Sequence, residues 1–313
     1  MKLRALAAAA ALAMSVAAHA DEFINVLTGG TSGVYYPLGV ALSQIYGKAI
    51  PGAKASVQAT KASAENLNLL QAGRGEIAFS LGDALNEAWK GNEEAGFKAP
   101  LKKLRTVAAI YPNFIQIVAN ADSGIRTLAD LKGKRVAVGA PKSGTELNAR
   151  DIFRGAGLSY KDLGKVEYLP FGESVELIKN RQLDATLISA GLGVAAVRDL
   201  ATAVKIVIVP ISPDVVAKIG ESAYQSATIP ANTYGGQAEA VQTVAVQNFL
   251  VTHEGVPAET VYRMTKSMFD NLDAMVAAHA AAKSITRDGA AKQPPVPLHP
   301  GAEKFYREAG LLK

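Results

Sequence analysis

The chain has no cysteine among its 313 residues. No disulfide framework can hold it, no thiolate zinc set can form, and no lipid can be attached through a cysteine near the N-terminus. Histidine is scarce too. Beyond the first twenty residues only His253, His279 and His299 occur, and their spacing matches no metal-ligand motif. The 33 basic residues exceed the 28 acidic ones too mildly to mark a nucleic-acid surface. Past residue 20 no apolar run is long enough and free enough of charge to cross a bilayer. Three signatures of common enzymes are also missing. There is no G-x-G-x-x-G turn, no phosphate loop with a Lys after its last Gly, and no G-x-S-x-G nucleophile elbow. These gaps argue against nucleotide binding and against an α/β-hydrolase, and they leave no cofactor to expect.

What is present begins at the N-terminus. Lys2 and Arg4 precede an Ala-rich apolar run that ends in Ala18-His19-Ala20. A charged start, a short apolar stretch and small residues before a break are the pattern of a secretory signal peptide, with cleavage after Ala20. The expectation is a mature, soluble chain starting near Asp21 and exported to a bacterial periplasm. With 49% hydrophobic residues and this length, one large or two medium domains can bury a core without cross-links.

Short β-rich runs alternate with amphipathic stretches, which predicts an α/β fold with largely parallel sheets. Phe23 to Leu27 reads as a strand, followed by a Gly-rich turn and a helix with Pro37 in its first turn running to Ala49. Val57 to Thr60, a helix N-capped by Ser63, and Ile77 to Ser80 continue the series. Tyr111-Pro112-Asn113 interrupts the next strand-like run and reads as a crossing into a second lobe. That lobe repeats the pattern: strands at 135–139, 166–170, 184–188 and 205–209, with helices after Thr127, Ser143 and Glu173. Pro210 and Pro213 mark a return, and the remainder from about Gln237 to Gly310 reads as helical. The expected organisation is therefore a signal peptide (1–20), one discontinuous lobe (21–112 and 211–313) and a second lobe (113–210), joined by two crossings that make a hinge.

Each lobe carries one strand-to-helix turn rich in Gly and hydroxyl residues, Thr28 to Tyr36 and Gly139 to Thr145. A helix N-terminus offers unpaired N–H groups and about half a positive charge, and glycine lets a ligand approach the backbone. Two such turns facing across a cleft would grip an anion. Thr31, Ser32, Gly33, Ser143, Gly144 and Thr145 are the candidate contacts, with Tyr35 or Tyr36 lining the cleft. Ser63 and Asn66 at a helix start, and Ser80 with Asp83 after a strand, stand at the same rim. Ordinary capped turns use the same residue types, so both readings stay open. Lys61, Arg74 and Lys142 are candidates to pair with an acidic group.

Thr28-Gly-Gly-Thr-Ser-Gly-Val-Tyr-Tyr-Pro-Leu-Gly39 resembles the opening motif of the TAXI solute receptors of TRAP (tripartite ATP-independent periplasmic) transporters. Similar matches include Ser63-Ala-Glu-Asn66-Leu67, Asp130-Leu-Lys-Gly-Lys-Arg-Val-Ala-Val-Gly139, Ser143-Gly-Thr145, Ile229 to Tyr234, Pro297 to Ala302 and Phe305 to Glu308. The resemblance implies a type II periplasmic-binding fold of two lobes that close like a Venus flytrap, with helices on both faces of each sheet. It implies a monomeric, non-catalytic receptor that binds glutamate, a related amino acid or a dicarboxylate and hands it to a membrane permease. The positions above carry over as ligand contacts. Asn113, Gly235 and Leu192-Gly193 depart from the family pattern and bear on the substrate. Two other functions share such a fold: a ligand-binding sensor, and a lyase or dehydratase for which Asp83 would be the proton-transfer group.

Overall fold

A computed structural model of the chain describes residues 22–292 and 294–313. The expected signal peptide lies outside them. The first strands and helices alternate: β1 (Glu22–Leu27), α1 (Tyr35–Ala49), β2 (Ala53–Gln58), α2 (Ser63–Gln71), β3 (Ile77–Leu81) and α3 (Gly82–Lys90). β1 lies between β2 and β3, parallel to both. Every residue of β3 is buried, as expected of a parallel strand covered on both faces. α1 turns Leu38, Leu42, Ile45 and Tyr46 inward, the i, i+4, i+7 stripe that covers a sheet.

The strand β4 (Leu104–Asn120) then runs without a break through both halves of the molecule. Beyond it come β5 (Arg135–Ala137), α4 (Gly144–Gly155), β6 (Lys165–Glu167), α5 (Phe171–Lys179), β7 (Ala185–Ala190), α6 (Ala195–Ala203), β8 (Ile206–Val209), α7 (Pro213–Ile219) and β9 (Tyr224–Ile229). The long strand β10 (Val241–His253) follows, then α8 (Ala258–Asp270), α9 (Leu272–Ala278), α10 (Arg287–Ala290) and α11 (Pro300–Glu308).

The two halves share one pattern. In the first, the order is β2-β1-β3, then β10 antiparallel to β3, then β4. In the second it is β6-β5-β7, then β4 antiparallel to β7, then β8. Each half thus takes in one long strand from the passage between them. The two-lobed α/β architecture expected from the sequence is the one the chain adopts.

Three local expectations need correcting. Tyr111-Pro112-Asn113 does not interrupt the strand: Pro112 faces Gln247 beside a register shift in the β4–β10 ladder, where a missing N–H costs little. The segment from Gln237 is not helical throughout, because Val241–His253 is β10, paired on both sides. Ser63 is the first residue of α2 and does not cap it; its hydroxyl accepts from the Leu81 N–H at 3.2 Å. After β8 the chain lays α7 on α4 and β9 along the first part of β10, and β10 itself carries it back.

Candidate functional site

The turns after β1, β2 and β3 face those after β5, β6 and β7, and a cavity of ≈ 110 Å³ lies between them. Ligands of open α/β sheets bind beyond these carboxyl ends of the strands. One wall is Gly29, Gly30 and Gly33 with Ala62, Ser63 and Leu81; the other is Ala140, Ser143–Thr145 and Phe171. Tyr111 and Asn113 of β4 with Ser189 of β7 close it off.

The local sequence explains the second wall. Ser143 caps α4 by accepting from the Glu146 N–H at 3.1 Å. The N–H groups of Gly144 and Thr145 have no acceptor among the described residues, and neither do those of Gly29 and Gly30. Gly139 has φ +98°, and a side chain there would meet Thr145 within 2.7 Å, so only glycine allows the turn to fold back on the helix start. Ala62 and Lys142, each just ahead of a helix start, also hold positive φ, 69° and 61°. Such backbone is costly without glycine and clusters where a structure fixes its site.

Behind the cavity runs a chain of neutral hydrogen bonds. Tyr35 stacks on Phe79 and donates its hydroxyl to Asn248 Oδ1. Asn248 Nδ2 donates to Asn113 Oδ1 at 2.7 Å, and Asn113 Nδ2 donates to the Ser189 carbonyl at 2.8 Å. Tyr111 lines the cavity, and its hydroxyl has no partner among the described residues although the residue is 1% exposed. Burial pushes the pKa values of Tyr35 and Tyr111 upward, so both stay protonated and able to donate.

Of the residues singled out from the sequence, Gly33, Tyr35, Ser63, Ser143, Gly144 and Thr145 line the cavity, and so does Lys61. Thr31 is exposed and Tyr36 half-buried, and neither lines it. Ser32 instead offers its carbonyl to the Ala196 N–H of the other half at 3.3 Å. Asn66 is buried as a tie between loops, donating to the carbonyls of Thr28 and Phe79 and accepting from Thr60. Ser80 donates to the Leu81 carbonyl at 3.0 Å. Asp83 faces α4 and β9, accepting from Asn148 at 2.6 Å and from Tyr224 at 2.9 Å. Arg74 and Lys142 are exposed away from the cavity. Sequence reasoning gave Phe171 and Ser189 no role, and met Tyr111 and Asn113 only at the expected lobe crossing, with Asn113 also a departure from the family pattern. The one available signal was Tyr-Pro-Asn inside an apolar run.

The cavity lies where the halves touch. The Glu65 N–H donates to the Lys142 carbonyl at 3.2 Å, and a Cβ on Gly144 would stand 2.5 Å from Ser63 Oγ. Among the described residues no Asp or Glu lines it, and no group of three His, Cys, Asp or Glu side chains could hold a metal ion.

A family model described as "NMT1-like family" matches residues 26–310. The fold is similar to the alkanesulfonate-binding protein SsuA from Xanthomonas axonopodis pv. citri bound to MOPS, at 16% identity over 94% of this chain and 96% of that one, TM-score 0.52. It is similar to a putative L-cystine ABC transporter protein from Listeria monocytogenes, at 16% identity over 85% and 98%, TM-score 0.51. A structure described for glutathione import via GshT and a cystine importer of Streptococcus mutans gives 11% identity over 85% and 98%, TM-score 0.52. At such identities the likeness is one of fold.

Proposed function

Since the chain belongs to the NMT1-like family, we propose that it is a periplasmic solute-binding receptor that closes on a small carboxylate, a glutamate-like amino acid or a dicarboxylate, and delivers it to a TRAP-type permease. The single observation that carries this reading is the cavity between the halves. Unpaired amides of Gly29, Gly30, Gly144 and Thr145 and the lone Tyr111 hydroxyl all belong to its surroundings. At ≈ 110 Å³ the space is well above the roughly 10–15 Å³ that a single water needs, so it has room for a small solute. The resemblance of the Thr28–Gly39 and Ser143–Thr145 motifs to TAXI receptors supports the permease partner, and the expected signal peptide supports the periplasm.

In this reading the two halves are lobes, and β4 and β10 the hinge. The open form binds the acid on one lobe, and the start of α4 completes the site on closure. Only contacts made in the closed form favour closure, and those from the ligand to the Gly144 and Thr145 amides are of that kind. The receptor is a monomer that turns nothing over. Asp83 gives the lyase reading no support, since its carboxyl faces Asn148 and Tyr224.

Calorimetry of refolded, ligand-stripped protein against amino acids and dicarboxylates tests the proposal. Binding of at least one acid is expected, weakened when Ser143 and Thr145 are changed to Ala. Silence across the panel would overturn it. Uptake by the reconstituted permease under an ion gradient without ATP tests the partner.

A further inference from the structure

We infer that the cavity selects acids without an ammonium group: among carboxylates of one length it favours the dicarboxylate or 2-oxo acid over the amino acid. This rests on the function proposed above and narrows it. The argument is a count of donors and acceptors. Among the described residues, Lys61 is the one charged side chain in the lining, and no carboxylate stands opposite it. The asparagine acceptors nearest the cavity each already take one hydrogen bond, Asn113 Oδ1 from Asn248 and Asn248 Oδ1 from Tyr35, and neither carries the charge an ammonium needs opposite it. The Ser189 carbonyl is taken by Asn113 and the Ala190 carbonyl by Gln116.

The donors are the groups left without any partner among the described residues. Ser63 Oγ already accepts from Leu81 and Ser143 Oγ from Glu146. The Gly29, Gly30, Gly144 and Thr145 amides lack acceptors. Tyr111 lines the same space, and its buried hydroxyl has no partner among the described residues. A buried, unsatisfied donor calls for an acceptor, and a carboxylate or keto oxygen supplies one. An ammonium would add three donors to a cavity already rich in them, with no countercharge to offset its desolvation.

The test compares glutarate, 2-oxoglutarate and L-glutamate, which share a carbon chain and differ at one position. Titration calorimetry of the ligand-stripped protein is expected to give at least about ten-fold tighter binding of glutarate or 2-oxoglutarate than of L-glutamate, the scale of one charge-assisted group lost or left unpaired. L-Glutamate binding as tightly as both others, while carboxylates still bind, overturns this inference and leaves the receptor reading standing. If no acid in the wider panel binds, the receptor reading fails and the inference falls with it. Tyr111→Phe separates the residue's role from folding. Because its hydroxyl has no protein partner, the ligand-free melting temperature should stay level or rise, while affinity for the preferred acid drops about ten-fold. Unchanged affinity would remove Tyr111 from the site.

Discussion

Two buried polar clusters join the halves of this molecule, and they are built from opposite materials. Beside the cavity, Tyr35, Asn248, Asn113 and Ser189 hand hydrogen bonds from one neutral group to the next. Where α3 meets α4 and β9, acids crowd together. Tyr224 has one hydroxyl hydrogen, yet its oxygen is 2.9 Å from Asp83 Oδ2 and 2.7 Å from Asp151 Oδ2. It can donate to only one of them. Arg154 gives Asp151 a countercharge at 2.7 Å, whereas Asp83 Oδ1 has no aligned donor. Burial pushes the Asp83 carboxyl up to about 7, against the pull of the Ala84 N–H and Tyr224, and Asp151 and Glu221 add to the rise. The neutral cluster holds no group that titrates at ordinary pH, while in the acidic one burial favours the protonated form of Asp83.

The sharpest way to break this contrast is Asn248→Ala. It strips partners from the buried Tyr35 hydroxyl and Asn113 Oδ1. At about 1–3 kcal/mol for each orphaned group, urea unfolding should lose about 2–6 kcal/mol, with the same loss at mildly acidic and neutral pH. A loss below about 1 kcal/mol would mean the neutral chain contributes little. Next is the pH dependence carried by Asp83. An acid whose folded pKa lies above its unfolded value contributes fully while both states are protonated, below the ordinary 3.8 of the unfolded chain, and that contribution fades as the pH climbs from there through about 7. Relative to Asp83→Asn, the wild type should therefore lose stability over that window, by at most about 4 kcal/mol. Groups such as Asp184, held low by Arg135, act in the opposite sense but equally in both proteins, so they cancel in the difference. Parallel curves would show that Asp83 does not titrate differently in the folded protein. The smallest effect comes from Gly144→Ala, whose Cβ would meet Ser63 Oγ and Leu81 Cδ1 at 2.5 and 2.6 Å only when the halves are together. Calorimetry should find affinity weakened by about 1–3 kcal/mol. An unchanged value would mean that contact is absent from the bound form.

How much of this the sequence disclosed follows from the range of the interactions involved. β3 and α1 were legible because their burial patterns are local, a continuous apolar run and a helical stripe. β10 was not. The helix formers of Gln237-Ala-Glu-Ala lead into it and masked the β-branched Val241, Thr243, Val244, Val246, Val251 and Thr252 of the strand itself, which pairs with β3, β4 and β9. The site divides in the same way. Gly33, Ser63 and Ser143 to Thr145 sit on strand-to-helix turns that announce themselves. Tyr111 and Ser189 reach the cavity from β4 and β7, whose sequences show nothing of what they will face. Asp83 was read as a rim residue, but β3 runs into α3 with no intervening loop, which turns its carboxyl toward α4.

Small-angle X-ray scattering of the ligand-stripped protein, with and without saturating glutarate, tests directly whether the halves close on an acid. The account predicts a radius of gyration that falls on addition of the acid by more than the spread between replicate curves. An identical radius for protein that calorimetry shows to be loaded would contradict it.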